Sequence, residues 1–188
     1  MWKFIKSSTD SSNWLVGHER EVCIIGRSNV GKSTLINALT RINKLAISSN
    51  TPGRTLLINY FQEDNNVLVD LPGYGYAKAS KQKKNQLSRM IFEYISYREE
   101  LKLVLVLIDG RRGVMDIDIE MIDYLKVVEK PFVLVFTKMD KLNQSQKHKL
   151  FSDIKTKNYP YFPTSAVTKK GINKLGEYIF SDAIKNDV

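Results

Sequence analysis

Residues 26–33 fit the pattern G-x-x-x-x-G-K-[ST], and this stretch constrains the fold of the chain more than any other feature. An apolar run at residues 22–25 precedes it, and residues 34–39 after it suit a helix, which is the context that the pattern requires. The glycines let backbone N–H groups surround phosphate oxygens, and the positive end of the new helix points at the same oxygens. The stretch therefore predicts a phosphate-binding loop. In it, Lys32 reaches the outer phosphates and the Ser33 hydroxyl completes a magnesium shell.

Runs that suit strands alternate with runs that suit helices along the rest of the chain. Residues 103–108 and 132–136 are apolar at consecutive positions, as expected for parallel strands that are covered on both faces. Residues 55–62 and 67–70 flank a polar turn and predict a hairpin. We therefore predict a three-layer α/β fold, in which helices cover both faces of a mostly parallel six-stranded sheet with one antiparallel strand.

The ends of the chain and its helices complete the predicted organisation. Residues 1–20 are interpreted as an extended lead-in, with Trp2, Phe4 and Trp14 packed against the body, and residues 21–188 as a single domain. Helices are predicted at about 82–101, after a cap at Asp116, at about 145–157, and after a last strand.

Composition narrows the class of protein. With 188 residues and 43% hydrophobic content the chain can bury one full core, and without an apolar run of about 18 residues we expect a cytoplasmic protein with no membrane span. The single cysteine, Cys23, lies in the first strand, so we expect a buried thiol and no internal disulfide. The formal charge of +9 suits an RNA-rich partner, although a lysine-rich soluble surface explains it equally well.

Candidate site residues follow three other predicted strands. The sequence from Asp70 to Gly73 has the pattern D-x-x-G, in which the carboxylate can hold magnesium through water and the glycine N–H can meet a terminal phosphate. Taken alone, this segment is equally a Pro-Gly turn. Its value lies in its position, because ligands of such sheets bind at the carboxyl ends of strands.

The segment Thr137-Lys138-Met139-Asp140 predicts which base is bound. The Asp140 carboxylate can accept hydrogen bonds from N1–H and the exocyclic amine of guanine, and a carboxylate left unpaired can reject adenine by about 10⁴-fold or more. Without the phosphate loop, Lys138 and Asp140 would be read as a solvated pair at a strand end. Ser165 and Ala166 follow the last strand, where their backbone N–H groups can close over the base.

These motifs, in this order across residues 21–176, resemble the translation-factor-type P-loop GTPases. Within that group the chain is similar to the EngB family, also called YihA or YsxC, whose members are bacterial GTPases that act in assembly of the large ribosomal subunit. The resemblance is carried by residues 26–33, Thr51-Pro52-Gly53-Arg54-Thr55, Asp70-Leu71-Pro72-Gly73-Tyr74-Gly75-Tyr76-Ala77 and Thr137-Lys138-Met139-Asp140-Lys141. The third segment is the most specific, because its tyrosine–glycine extension distinguishes this family from its relatives.

The resemblance implies binding of GTP and GDP with magnesium, and a set of nucleotide-contacting residues. They are Gly26, Arg27, Ser28, Asn29, Val30, Gly31, Lys32, Ser33 and Thr34; Thr51, Pro52, Gly53, Arg54 and Thr55; Asp70, Leu71, Pro72 and Gly73; and Thr137, Lys138, Met139, Asp140, Thr164, Ser165 and Ala166. The expected magnesium ligands are Ser33, Thr55 and Asp70, with Thr51 as an alternative to Thr55. The expected catalytic residues are Lys32, Thr55 and Gly73. Asn29 matches a position that helps to hold an activating potassium ion in related GTPases, and an asparagine in this loop also has a backbone-capping explanation.

Two departures from the wider GTPase pattern affect the expected mechanism. Tyr74 stands where signalling GTPases have a glutamine that orients water, so we expect unassisted turnover on the order of 10⁻⁴ s⁻¹ and stimulation by a partner of about 10³ to 10⁵. Thr137 replaces an asparagine and removes one amide's contacts. Arg27 and Arg54 are candidates for an internal arginine finger, although loop packing or partner contact explains both better.

The expected partner is the large ribosomal subunit with its rRNA, with no DNA and no membrane, and the protein is expected to be a monomer. Residues 70–84 resemble the second switch, beside which Lys78, Lys81, Lys83 and Lys84 cluster, and Arg111 and Arg112 follow the fourth strand. Lysines at a helix start oppose the helix dipole, which favours a phosphate-contacting role over a solvated face. The resemblance implies a role in cell division and growth. The alternative function is a GTP-gated protein-binding switch without RNA. His18 and His148 are predicted to lie at the surface.

Overall fold

The computed structural model describes residues 1–47, 57–75, 80–156 and 158–180. In this part of the chain the elements are β1 (Lys3–Ser8), β2 (Glu21–Gly26), α1 (Lys32–Thr40), β3 (Ile58–Glu63), β4 (Asn66–Asp70), α2 (Lys81–Tyr97), β5 (Leu101–Asp109), α3 (Asp116–Val127), β6 (Phe132–Thr137), α4 (Gln144–Lys155), β7 (Tyr161–Pro163) and α5 (Ile172–Phe180). None of the helices in these ranges is long and apolar enough to cross a bilayer.

The strands form one sheet in the order β1-β3-β4-β2-β5-β6-β7. Strand β3 runs antiparallel to both of its neighbours, and the other described pairs are parallel. The predicted α/β fold with one antiparallel strand is thus confirmed. The count of six strands is wrong by one, because residues 3–8 of the predicted lead-in pair with β3 and form an edge strand.

The edge strand was missed because its residues, KFIKSS, carry little apolar patterning. Its register on β3 shifts between Phe4 and Lys6, which marks a bulge. The aromatic residues of this region pack against the body as predicted. Trp2 lies 5.3 Å from Phe180, Phe4 lies 5.8 Å from Phe61, and Trp14 lies 5.0 Å from Tyr94, measured between ring centroids.

The core has two layers, one on each face of the sheet, because alternate residues of a strand point to opposite faces. On β2, Cys23 and Ile25 pack with α2, α3 and α4, whereas Val22 and Ile24 pack with α1 and α5. Cys23 is fully buried, as predicted, and burial raises the pKa of its thiol.

Three local predictions need correction. Helix α2 ends at Tyr97 rather than near residue 101, because Arg98 leaves the helix and β5 begins at Leu101. The N-cap of α3 is Met115 rather than Asp116, and Asp118 accepts the Met115 N–H at 3.0 Å. His18 does not lie at the surface, since only 2% of its side chain is exposed and its Nε2 lies 2.6 Å from Glu21 Oε1.

Candidate nucleotide site

The phosphate-loop residues lie between the end of β2 and the start of α1. The residue before α1 is Gly31, whose φ of +112° is accessible to glycine and whose lack of a side chain leaves the first turn of α1 without a side-chain cap. Gly26 is required for a different reason. A Cβ there would lie 2.9 Å from the Leu107 carbonyl oxygen of the neighbouring β5. The uncapped first turn can receive phosphate oxygens through its N–H groups.

Asp70 ends β4 beside this loop, because β4 pairs with β2 and places Asp70 opposite Ile24. Asp70 is 9% exposed as a residue, and its Oδ1 is buried with no hydrogen-bond partner among the residues that the structure describes. Burial raises its pKa, and the positive charge of Lys32 acts in the opposite direction. A buried carboxylate oxygen without a donor is well suited to a cation.

These residues fit magnesium. Ser33 lies on the first turn of α1, and Asp70 supplies the free carboxylate oxygen near Lys32. The described ranges contain no group of three or more histidine, cysteine or acidic side chains that could hold a metal by themselves. One hydroxyl and one carboxylate suit Mg²⁺, which takes one or two protein ligands and completes its shell with water and phosphate oxygens. When bound, the ion would neutralise charge on those oxygens. Thr55, the third expected ligand, lies outside the described residues with Thr51, Pro52, Gly53 and Arg54.

The backbone of the D-x-x-G segment runs alongside the phosphate loop. Leu71 N donates to Ile24 O at 3.1 Å, Tyr74 N donates to Gly26 O at 3.1 Å, and Ser28 N donates to Tyr74 O at 3.3 Å. Pro72 and Gly73 are buried between these contacts. The structure therefore brings the Asp70–Gly73 segment and the Gly26–Ser33 loop together.

The base motif is tied to the same loop by side-chain hydrogen bonds. Thr137 Oγ1 donates to Val30 O at 2.7 Å, and Lys138 Nζ donates to Asn29 O at 2.8 Å. Lys138 also pairs with Asp109 Oδ2 at 2.9 Å. The threonine that replaces the usual asparagine thus supplies one donor to the phosphate loop.

At the far end of the motif, Asp140 is oriented by a serine. Its Oδ1 accepts from Ser165 Oγ at 2.7 Å, and this bond lowers the pKa of the carboxyl. The predicted use of the Ser165 N–H needs correction, because this group donates to Lys170 O at 2.9 Å.

The other predicted residues near the base motif are engaged in or packed against the same turn. The N–H and the hydroxyl of Thr164 both donate to Phe136 O. Met139 is buried, and its N–H donates to Thr164 O at 3.2 Å. Ala166 is half-buried beside this turn.

Three loop residues have contacts that bear on their predicted roles. Arg27 lies with its Nε 3.3 Å from Asp118 Oδ1 and its guanidinium 3.3 Å from Gly113 O, as expected for loop packing. Asn29 has a φ of +62°, a conformation that asparagine tolerates, so its backbone alone accounts for the residue. Its potassium role stays a prediction. Thr34 is exposed on the first turn of α1.

Sequence reasoning missed Asp109 at the end of β5, which holds the Lys138 side chain of the base motif against the phosphate loop. Its carboxylate binds Lys138 and receives Arg111 Nε at 3.0 Å and Arg111 Nη2 at 2.7 Å. Burial would raise the pKa of Asp109, but these donors outweigh burial and lower it. The available signal was Asp109-Gly110 at the end of an apolar strand. A Cβ on Gly110 would lie 2.7 Å from Met139 Sδ, so the base motif packs directly on this glycine.

Comparisons with known proteins agree with this geometry. Residues 21–138 match the family described as 50S ribosome-binding GTPase. The probable GTP-binding protein EngB of Mycoplasmopsis synoviae (strain 53) is 48% identical over 187 residues, covering 97% of this chain and 100% of that protein. Its counterpart in Mycoplasmopsis pulmonis (strain UAB CTIP) is 48% identical over 185 residues, covering 97% of this chain and 99% of that protein.

Solved structures include similar chains. A probable GTP-binding protein EngB has a TM-score of 0.71 at 26% identity, covering 88% of this chain and 98% of that one. Era, solved in complex with MgGDPNP and a segment of 16S ribosomal RNA, has a TM-score of 0.70 at 27% identity, covering 85% of this chain and 55% of that one.

Proposed function

The chain belongs to the EngB family of P-loop GTP-binding proteins and is a GTPase, and from this premise we propose that it acts as a switch in assembly of the large ribosomal subunit. The observation that carries the proposal is the first turn of α2. This turn holds Lys81, Lys83 and Lys84 and no acidic residue, in a chain of formal charge +9. We place its action in the cytoplasm, where bacterial ribosomal subunits are assembled.

In this proposal the residues at the carboxyl edge of the sheet bind and orient the nucleotide. The first turn of α1 and Lys32 hold the phosphates, Ser33 and Asp70 hold magnesium, and Asp140 accepts hydrogen bonds from guanine. Turnover without a partner is slow. The residue after Gly73 is Tyr74, which has no side-chain amide to orient water. Its hydroxyl cannot replace the amide, because it donates to Asp118.

The docking surface for rRNA is the first turn of α2. Ser80 caps it by accepting the Lys83 N–H at 3.3 Å, so the helix begins directly at the lysines. Cations at this end oppose the helix dipole, and phosphates of RNA would offset that repulsion. Arg111 and Arg112 are both exposed in the turn after β5, but Asp109 holds the Arg111 guanidinium, so we expect Arg112 to contribute more to RNA binding.

The test is co-sedimentation of the protein with isolated ribosomal subunits, with a non-hydrolysable GTP analogue, with GDP and without nucleotide, across a salt series. We expect retention on the large subunit only with the analogue, weakening as salt rises. The triple variant with Lys81→Ala, Lys83→Ala and Lys84→Ala should bind more weakly. Its slope of log affinity against log salt should fall by about 2 to 3, since each lost phosphate contact removes about one unit or slightly less.

A matched triple variant on α4, with Lys147→Ala, Lys149→Ala and Lys155→Ala, removes the same charge from another helix and should keep the salt slope. If both triples weaken binding equally, the effect comes from net charge and the α2 surface is excluded. Absence of binding in every nucleotide state would exclude the ribosomal role while leaving the GTPase assignment intact.

One observation favours the alternative, a GTP-gated protein-binding switch without RNA. A groove of about 370 Å³ lies between α2 and α3, directly beside the second switch, and Tyr74, Leu87, Ile91, Phe92 and Ile117 line it. Such a groove suits an apolar side chain of a protein partner. Binding of a partner that does not respond to salt would support this alternative.

A further inference from the structure

Asp118 on α3 connects three separate parts of the chain through one buried carboxylate. Its Oδ1 accepts from the Tyr74 hydroxyl at 2.8 Å and lies 3.3 Å from Arg27 Nε. Its Oδ2 accepts from the Met115 N–H at 3.0 Å. Asp118 is fully buried, and Tyr74 is 9% exposed. The carboxylate therefore holds a phosphate-loop side chain and a switch side chain at the same point.

Tyr74 is fixed at its backbone as well as at its hydroxyl. Its N–H donates to Gly26 O, and its carbonyl accepts from Ser28 N, so it forms a parallel bridge with Arg27. Burial and the neighbouring Asp118 charge raise the pKa of the phenol, so the hydroxyl stays protonated and remains a donor. Because Gly73 directly precedes Tyr74, these contacts also set where the Gly73 N–H lies relative to the phosphate loop.

We propose that Asp118 is a positioning residue, which holds Tyr74 so that the Gly73 N–H is already placed for the terminal phosphate of GTP. The proposal rests on the predicted contact between Gly73 and that phosphate. GDP lacks the phosphate and makes no such contact, so positioning by Asp118 favours GTP over GDP. The carboxylate thereby contributes to the difference in affinity on which the switch depends.

A purely structural role for Asp118 predicts a different outcome. As part of the cap of α3, it would stabilise the fold, and its loss would weaken both nucleotides to the same degree. The affinity ratio of the two nucleotides therefore separates the two explanations, and this ratio is independent of any ribosomal partner.

The experiment measures the dissociation constants of fluorescent GDP and of a fluorescent non-hydrolysable GTP analogue for three variants. Tyr74→Phe removes only the hydroxyl and leaves Asp118 with Arg27 and Met115. Asp118→Asn keeps the volume and an acceptor for the cap but removes the charge. Asp116→Asn is the matched control, because it removes an exposed carboxylate from the same turn of α3.

We expect Tyr74→Phe and Asp118→Asn each to weaken the GTP analogue by about tenfold and GDP by less than about twofold, whereas Asp116→Asn changes neither. The double variant of Tyr74 and Asp118 should be no weaker than the worse single variant, because both act through one contact. An equal loss for both nucleotides, no change, or tighter binding of the analogue would overturn the proposal. If Asp118→Asn does not fold, Tyr74→Phe gives the same decision. The dissociation constants are measured on the protein without ribosomal subunits. A negative result would therefore overturn the role of Asp118 and leave the ribosomal proposal untouched.

Discussion

Glu21 and Asp70 are two buried carboxylates at opposite ends of the neighbouring parallel strands β2 and β4, and their surroundings differ. Glu21 begins β2 and is surrounded by donors. Its Oε1 receives Arg98 Nη2 at 2.7 Å and His18 Nε2 at 2.6 Å, and its Oε2 receives Arg98 Nε at 3.0 Å and the Tyr94 hydroxyl. Asp70 ends β4, and its Oδ1 has no hydrogen-bond partner in the described part of the chain.

The pKa values of the two groups move in opposite directions for this reason. Burial would raise the pKa of Glu21, but hydrogen bonds from His18, Arg98 and Tyr94 outweigh burial and lower it. Burial raises the pKa of Asp70, and among the described residues the charge of Lys32 opposes this rise without cancelling it. The buried charge at the start of β2 is thus paired. The buried charge at the end of β4 has an oxygen without a donor among the described residues, which costs stability.

The largest effect that tests this comparison is the change Glu21→Gln. It leaves the Arg98 guanidinium, whose side chain is 6% exposed, without its main counterion. We expect a loss of about 3 to 5 kcal/mol in the free energy of unfolding, measured by urea denaturation. Glu100→Gln is the control, because Glu100 pairs with the same guanidinium at 3.2 Å from a position 30% exposed and should cost less than about 1 kcal/mol. Equal losses in both variants would show that burial of Glu21 does not matter.

A smaller change in the free energy of unfolding, of opposite sign, is expected at Asp70, at the end of β4. Because the folded protein raises the pKa of Asp70, the ionised carboxylate is unfavourable at neutral pH, and Asp70→Asn should stabilise the nucleotide-free protein by about 1 kcal/mol. The same change should weaken magnesium-dependent nucleotide binding. Asp109→Asn is the matched comparison, since donors lower the pKa of that carboxyl and its loss should destabilise. Destabilisation by Asp70→Asn would mean that Lys32 already satisfies the carboxylate.

The smallest effect is confined to acid pH. The pKa of Glu21 is lower in the folded protein than its ordinary value of 4.5, so its contribution to stability is complete above that pH. It is lost as the pH falls through the folded-state pKa. We expect the free energy of unfolding to fall more steeply below pH 4.5 in the native protein than in Glu21→Gln, and the two curves to run parallel at neutral pH. Parallel curves throughout the acid range would assign the acid loss to other carboxyls.

The sequence was sufficient for the features that are local. The phosphate loop is read from eight residues and their flanks, and the parallel strands are read from consecutive apolar positions. The contacts that define the comparison are not local. Glu21 and Arg98 lie 77 residues apart, and Tyr74 and Asp118 lie 44 apart. No pattern in either neighbourhood identifies the partner, and His18 was predicted to lie at the surface for the same reason.

The edge strand β1 also bears on how this protein behaves at high concentration. An open sheet edge presents unpaired N–H and C=O groups to any other extended chain, which is a route to aggregation. Here the outer strand carries Lys3 and Lys6 and is bent by the bulge after Phe4. The opposite edge, β7, has three residues and ends at Pro163, which has no N–H to donate. Within the part of the chain that the structure describes, both margins of the sheet are therefore poor templates for the addition of a strand from another copy.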